Sequence, residues 1–232
     1  MKKVITCAAI IALLFSCSQK EQGNMVVTGT IDGLKKGTLY LQKMKDSILV
    51  SVDSVQLNGK PVFKLFDNVD SPEMYYLKLD NSDDKVIPFF GEKGEITISS
   101  KLSRFSFGAK ITGSTTQELL EEHNTMDRKF NGKKLDLIKE KFDAQRENDT
   151  ALVSKIEEEE AGLLRRNYLY TINFAINHAE SEVAPYLALT ELYYANIKYL
   201  DTVNNSLSAK VKNSKYGKDL QEFIRKIKKN EE

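Results

Sequence analysis

The side chains that most often perform chemistry are scarce in this chain. Its 232 residues include two histidines, two cysteines and no tryptophan. Nucleophilic hydrolysis needs a base, and His123 and His178 are the usual candidates. His123 lies in a polar stretch and is predicted on the surface, whereas His178 is predicted near a helix C-terminus, where a cation is favoured. The sequence has no G-x-S-x-G motif. We therefore expect no enzymatic activity and no catalytic residue.

Two acidic segments are candidates for a metal site. Residues 157–160 are consecutive glutamates, which point in different directions around a helix, so a solvated helix face is predicted. Residues 80–84 (D-N-S-D-D) lack the spacing, the glycine and the final glutamate of an EF-hand loop, so a surface turn is predicted. Gly29 and Gly33 lack the spacing of a nucleotide-binding loop. No metal and no cofactor are expected.

Four tyrosines late in the sequence are candidates for a ligand surface. They are Tyr186, Tyr193, Tyr194 and Tyr199. Their near-helical spacing favours packing between helices, but such rings can also line a groove for a sugar or a peptide. Both interpretations stay open at this point.

The charge balance excludes some partners. The chain has 34 Lys and Arg against 33 Asp and Glu, with a formal net charge of +1. This balance gives no field that attracts nucleic acid, and no long block of one sign is present. No nucleic-acid partner is expected.

The N-terminus has the pattern of a secretion signal. Two lysines follow Met1, and the apolar run 4–15 is shorter than the roughly 20 residues of a membrane-spanning helix. Leu14-Phe15-Ser16-Cys17 then precedes a polar stretch. This segment resembles the lipobox of bacterial lipoproteins, although a small residue is more usual at the position of Phe15. The resemblance implies cleavage before Cys17 and lipidation of Cys17.

These features predict a signal peptide over residues 1–16 and a polar tether over residues 17–24. Cys7 would leave with the signal peptide, so the mature chain would have no free thiol and no internal disulfide. Several acyl chains on one terminus give stable membrane anchoring. We expect a lipid-anchored protein of the bacterial cell envelope, most simply in the outer membrane, on its periplasmic or surface face.

Asp-Ser/Thr-aliphatic triplets resemble the acceptor motif of an O-glycosylation system in some envelope bacteria. They occur at 46–48, 53–55, 149–151 and 201–203. Asp201 could instead cap a helix, and Ser54 lies in a predicted strand. Ser47 and Thr150 lie in predicted loops and are the better candidates for modification.

Residues 25–113 are predicted to form a β domain, because apolar residues alternate between clusters of Gly, Asn and Asp. Predicted strands are 26–31, 38–42, 48–57, 62–66, 74–79, 86–90, 95–99 and 105–112. Asn58-Gly59 predicts a hairpin that pairs the third and fourth of these. About eight short strands indicate an antiparallel β-sandwich or an open barrel.

Residues 114–232 follow a helical period instead. Ser114 with Gln117 predicts a capping box, Pro185 the start of a helix, and Ser214 the cap of the last helix. No linker rich in Pro or Gly separates the halves, so the helical region is predicted to pack on or beside the β domain. The fold class is therefore α+β.

A series of short motifs spans most of the chain. It comprises G-T-I (29–31) with Gly33, D-S-V (53–55), N-G-K (58–60), Phe63, Pro72, F-F-G-E-K-G-E-I-T-I (89–98), I-T-G-S (111–114) and N-S-K-Y-G (213–217). Their order resembles the domain of unknown function that precedes a thioredoxin-like domain in bacterial envelope lipoproteins of the thiol-disulfide interchange and peroxiredoxin-like kinds. No C-x-x-C pair occurs in these 232 residues, so the redox chemistry of the longer relatives is not carried over.

The predicted function is that of a non-catalytic interaction or binding module. The family resemblance implies docking to a separate thioredoxin-like or peroxiredoxin-like envelope protein. The alternative is an accessory lipoprotein that holds a glycan or a peptide at the cell surface. An enzyme that uses paired carboxylates is a third hypothesis, which two facing carboxylates with raised pKa values would support.

Overall fold

The structure is a computed structural model that describes residues 23–80 and 82–231. The predicted signal peptide, Cys17 and most of the predicted tether lie outside the described residues. Within the described part, strands precede helices along the chain. The strands are β1 (Met25–Asp32), β2 (Lys36–Lys45), β3 (Ile48–Asn58), β4 (Val62–Asp67), β5 (Glu73–Leu79), β6 (Val86–Gly91), β7 (Gly94–Lys101) and β8 (Lys110–Thr112).

These strands form two four-stranded sheets, in the orders β4-β1-β7-β8 and β3-β2-β5-β6. The strand pairs are antiparallel except β1 with β7, which run parallel. Buried side chains of both sheets form one hydrophobic core, with Ile31, Leu65, Leu77 and Phe89 among its members. The sandwich-like arrangement is not closed, and the predicted mixed α+β class is confirmed.

The predicted pairing across Asn58-Gly59 is wrong. β4 lies antiparallel to β1, with Phe63 opposite Gly29, while β3 pairs with β2 in the other sheet. The chain therefore turns at Gly59 and crosses between the sheets, and the Asp53 side chain of β3 accepts a 2.9 Å hydrogen bond from Phe66 N of β4. Alternation identifies the buried face of a strand but not its neighbour, which explains the error.

The last predicted strand is shorter than expected. A single 3-10 turn (Leu102–Arg104) and further turns precede β8, and only Lys110–Thr112 pair with β7. Phe105 enters the core of the sandwich, whereas Phe107 is 95% exposed. Alternating apolar residues in this segment therefore belong to turns and not to a strand.

Close backbone approach requires glycine at two of the motif positions. A Cβ atom at Gly29 would lie 1.9 Å from the carbonyl oxygen of Ile98. Gly113 has a φ of +90°, and a Cβ atom there would lie 2.2 Å from the carbonyl oxygen of Glu95. The close packing of β1 and β8 against β7 thus explains why both positions are glycine.

The helices are α1 (Thr115–Arg146), α2 (Thr150–Asn177), α3 (Val183–Thr190), α4 (Ile197–Ser206), α5 (Ala209–Lys212) and α6 (Lys215–Glu231). Ser114 caps α1 as predicted, since its hydroxyl accepts a 3.1 Å hydrogen bond from Gln117 N. The Gln117 side chain instead ties α1 to the sheet, because its Oε1 accepts a 2.8 Å bond from Phe90 N. The predicted cap at Asp201 is wrong: α4 begins at Ile197, and Asn196 is its N-cap.

The helices pack on β5 and β6. Met74 and Phe90 of these strands form a buried cluster with Leu120, Phe174, Val183 and Leu187. Tyr216 at the start of α6 adds a polar link, because its hydroxyl accepts a 3.0 Å hydrogen bond from Met74 N. The helical region is therefore joined directly to the sandwich.

Candidate functional site

A groove of about 580 Å³ lies between α1, α2 and the segment that follows α3. The short connection between α1 and α2 makes them antiparallel neighbours, and Leu137 and Leu163 pack between them. We call this space the α1–α2 groove. Its lining includes Asp127, Asn131, Asn167, Tyr168, Tyr193 and Tyr194.

A polar network crosses the groove. Asp127 of α1 accepts hydrogen bonds from the side-chain amides of Asn131 (2.7 Å) and of Asn167 on α2 (3.1 Å). A carboxylate only accepts, so the amide nitrogen of Asn167 faces Asp127 and its Oδ1 points elsewhere. That Oδ1 is buried and has no hydrogen-bond partner among residues 23–80 and 82–231. A buried acceptor without a donor costs about 1–3 kcal/mol.

Two exposed tyrosines lie beside this network. Tyr193 and Tyr194 are 46% and 78% exposed, and their ring centroids are 3.7 Å apart. Aromatic rings with apolar faces next to amide and carboxylate acceptors can bind a ligand that has both apolar faces and hydroxyl groups. Aromatic rings and polar acceptors therefore line the same groove.

The other two candidate tyrosines have different surroundings. Tyr186 packs edge-on against Phe90 and Tyr216, with centroids 5.1 and 5.2 Å away, and burial raises its pKa to about 12. Tyr199 lines a smaller neighbouring cavity of about 190 Å³ with Tyr168. Tyr193 and Tyr194 line the groove, as a ligand surface requires. Tyr186 packs between elements, as the packing interpretation predicts.

The surface location predicted for His123 is wrong. His123 is 1% exposed, its Nε2 lies 3.0 Å from Thr171 Oγ1, and its ring stacks on Tyr170. Burial lowers the pKa of His123, so the neutral ring is favoured. Thr171 lines the groove, which places His123 directly beneath it. His178 follows the last residue of α2, as predicted.

Carboxylates give the groove a negative character. Glu157 and Glu160 both form ion pairs with Lys141 of α1, at 3.0 and 3.1 Å, so these two side chains face a neighbouring helix. Glu158 and Glu159 are exposed, as predicted. Desolvation by the groove walls raises the pKa of Glu191, and the charge of Asp127 raises it further.

Each oxygen of the Asp127 carboxylate accepts one hydrogen bond from an asparagine amide.

The acidic segment near residue 80 serves a turn. Asp80 accepts a 2.6 Å hydrogen bond from Thr38 N, and Asp83 pairs with Lys78 at 2.8 Å. In the described part of the chain, no group of three or more His, Cys, Asp or Glu is placed to hold a metal ion. Within the same part, the helices are too short or too polar for any of them to cross a bilayer.

The two candidate glycosylation sites differ in structure. Ser47 is exposed in the turn between β2 and β3, with a φ of +67°. Thr150 is not in a loop: it is the first residue of α2, and Asp149 before it caps that helix by accepting a 2.9 Å bond from Leu152 N. The Asp-Thr pair is thus explained by capping. O-glycosylation at either site stays a prediction.

The polar network is not apparent from the sequence alone. Asp127 and Asn131 are four residues apart, which places them on one face of α1. Asn167 interrupts an otherwise apolar face of α2 near Leu163 and Thr171. These two local signals indicated polar positions, but only the packing of α1 on α2 joins them.

Residues 25–120 match the model of a family described as "Domain of unknown function (DUF4369)". No curated protein and no solved structure shows significant similarity to the chain. The matched segment contains all eight described strands and the first turns of α1, up to Leu120 in the cluster beneath the helices. Residues 25–120 are therefore similar to this family of unknown function, as the sequence motifs indicated.

Proposed function

We propose that this chain is a lipid-anchored, non-catalytic binding protein of the bacterial cell envelope whose α1–α2 groove holds a neutral oligosaccharide. One observation carries the proposal. The exposed Tyr193–Tyr194 pair lines the same groove as Asn167, whose buried Oδ1 has no donor among the described residues. A sugar ring supplies an apolar face for the tyrosines and hydroxyl donors for Asn167 and Asp127.

The charges of the groove favour a neutral ligand. Asp127, Glu157, Glu160 and Glu191 line the groove with Lys134, and Lys141 beside it pairs with Glu157 and Glu160, which leaves more negative than positive charge. This excess of negative charge repels sugars that carry carboxylate or phosphate groups. The volume of about 580 Å³ lies in the range of sites that enclose small ligands.

The sequence before the described residues supports the anchor. Leu14 to Cys17 supply the lipobox pattern, and Cys17 comes seven residues before Asn24 in the sequence. The first described residues join the sandwich at once, because the Asn24 side chain exchanges hydrogen bonds with Val69 N and O. A lipid on Cys17 would therefore hold the sandwich close to the bilayer.

Docking of a thioredoxin-like partner is the second hypothesis, and it rests on the family resemblance alone. The groove supports small-ligand binding by geometry as well as by composition. We therefore place the carbohydrate proposal first.

Thermal unfolding with added ligands tests the proposal. The mature protein in detergent would be heated with cello-, xylo-, malto- and mannohexaose. Trigalacturonate would be the anionic control, and an uncharged hexapeptide the peptide control. We expect at least one neutral hexasaccharide to raise Tm, since a ligand at a hundred times its Kd stabilises by about 2.7 kcal/mol. The proposal would be contradicted if none of the neutral sugars raised Tm, or if the peptide alone raised it.

A further inference from the structure

A second cavity, of about 360 Å³, lies where the β4–β5 connection meets the N-terminal ends of α3 and α6. It shares no lining residue with the α1–α2 groove. We call it the Glu182 cavity. Its charged lining residues are the carboxylates Asp70, Glu73 and Glu182 and the lysines Lys210, Lys215 and Lys218, and Asp70 is exposed.

Glu182 is the unusual member of this lining. It is 2% exposed, and its buried Oε1 has no hydrogen-bond partner among the described residues. Burial raises the pKa of its carboxyl group, and the positive charge of Lys210 opposes that shift. A buried acceptor of this kind is unfavourable unless a donor reaches it, and an ammonium group is the strongest such donor.

The lysines of the cavity fall into two groups. Lys215 is held by Glu73, with 2.5 Å between Nζ and Oε2. Lys210 and Lys218 are exposed, and neither forms an ion pair with another residue in the described ranges. The N-terminus of α6, capped by Ser214, adds partial positive charge on the same side. An anionic group therefore has two unpaired cations to bind.

We infer that the Glu182 cavity binds a small zwitterion, either a free amino acid or a short peptide. The ammonium group of the ligand donates to Glu182 Oε1, and its carboxylate lies between Lys210 and Lys218. Glu182, Lys210 and Lys218 line the same cavity, and no ion pair within the described residues joins the carboxylate to either lysine, so both charges are left for a ligand that carries both signs. This site is separate from the proposed oligosaccharide groove.

Calorimetry with charge-deleted analogues tests the inference. The mature, full-length protein in detergent would be titrated with L-alanyl-L-alanine, its N-acetyl derivative and its C-terminal amide, with free L-alanine as a size comparison. We expect each derivative to bind at least tenfold more weakly than the zwitterionic dipeptide, because each lacks one charge. Glu182→Gln should weaken the dipeptide about tenfold and leave the N-acetyl derivative unchanged.

Matched variants keep the test decisive. Lys210→Gln changes an exposed side chain on which the fold does not depend. This variant should lose more affinity for the dipeptide than for its C-terminal amide. Glu158→Gln, an exposed glutamate of α2, is the control and should change nothing. Equal binding of the dipeptide and its N-acetyl derivative, or no binding of any of them at millimolar concentrations, would overturn the inference. A sugar response that persists in Glu182→Gln separates this site from the groove.

Discussion

Asn167 of α2 donates a 3.1 Å hydrogen bond to Asp127 of α1, across the groove between the two helices. Asn131 donates to the other oxygen of the same carboxylate, at 2.7 Å. This relationship orients Asn167 so that its Oδ1 has no hydrogen-bond partner among the described residues. The network therefore contributes both to helix packing and to the proposed site.

Replacing Asp127 should affect both roles. In Asp127→Ala the two asparagine amides lose their acceptor, so the free energy of unfolding should fall by about 1–3 kcal/mol in urea titrations. Affinity for the neutral hexasaccharide should fall about tenfold, since Asn167 is no longer oriented. Asp136→Ala removes an exposed carboxylate from the same helix and is the control. Equal behaviour of the two variants would show that the network has no such role.

The link between Tyr216 and Met74 should stabilise the attachment of α6 to the sheet. Tyr216→Phe keeps the ring contacts with Phe90 but leaves Met74 N without its acceptor. We expect a loss of about 1–3 kcal/mol in chemical denaturation. Tyr199→Phe, at a partly exposed ring, should stay within about 0.5 kcal/mol of the wild type. A Tyr216→Phe variant of wild-type stability would argue against this link.

Two glycine substitutions should act in opposite directions. Gly29→Ala forces a Cβ atom against the Ile98 carbonyl, so β1 and β7 must separate, and a loss of more than about 3 kcal/mol is expected. A Cβ atom at Gly132, within α1, meets nothing within 4 Å, so Gly132→Ala should stabilise by about 0.5–1 kcal/mol. Thermal unfolding of both variants checks the pair, and a well-folded Gly29→Ala protein would contradict the described packing of β1 on β7.

Burial of His123 predicts a dependence of stability on pH. Its folded-state pKa is lowered, so the unfolded chain binds the proton more readily. This contribution to stability is complete above the unfolded pKa of about 6.5 and is lost as the pH falls below that value. Unfolding free energies of wild type and His123→Gln between neutral and mildly acidic pH should therefore converge as the pH falls. Parallel curves would show that His123 does not titrate with folding.

The proposed lipid anchor gives a cellular prediction. Cys17→Ala removes the thiol that the lipobox pattern assigns to acylation, so the precursor should not incorporate labelled palmitate. We also expect the protein to leave the membrane pellet on fractionation, in contrast to the wild type. Ser16→Ala keeps a small residue before the cysteine and is the control. Palmitate incorporation into Cys17→Ala would contradict lipidation at this position.

Local signals predicted much of the fold. Alternation located β1 to β7 to within a few residues, and the caps at Ser114 and Ser214 follow from hydroxyls that bind helix amides. The partner of β4 was mispredicted, because the side-chain pattern of a strand is the same in either sheet.

The site was harder to predict for a related reason. His123 is surrounded in sequence by polar residues that lie on other faces of α1, so its burial depends on how α2 packs. Asp127 and Asn167 are brought together only by the pairing of two long helices. No spacing within either helix specifies that contact.

Binding calorimetry on the tyrosine pair tests the central claim most directly. The Tyr193→Ala, Tyr194→Ala double variant would be titrated with the neutral hexasaccharide that shifts Tm most, beside wild type and a Tyr199→Ala control. The double variant should lose at least about 30-fold in affinity, as expected when aromatic contacts dominate a site. The Tyr199→Ala control should bind as the wild type does. Unchanged affinity in the double variant would contradict carbohydrate binding in the α1–α2 groove.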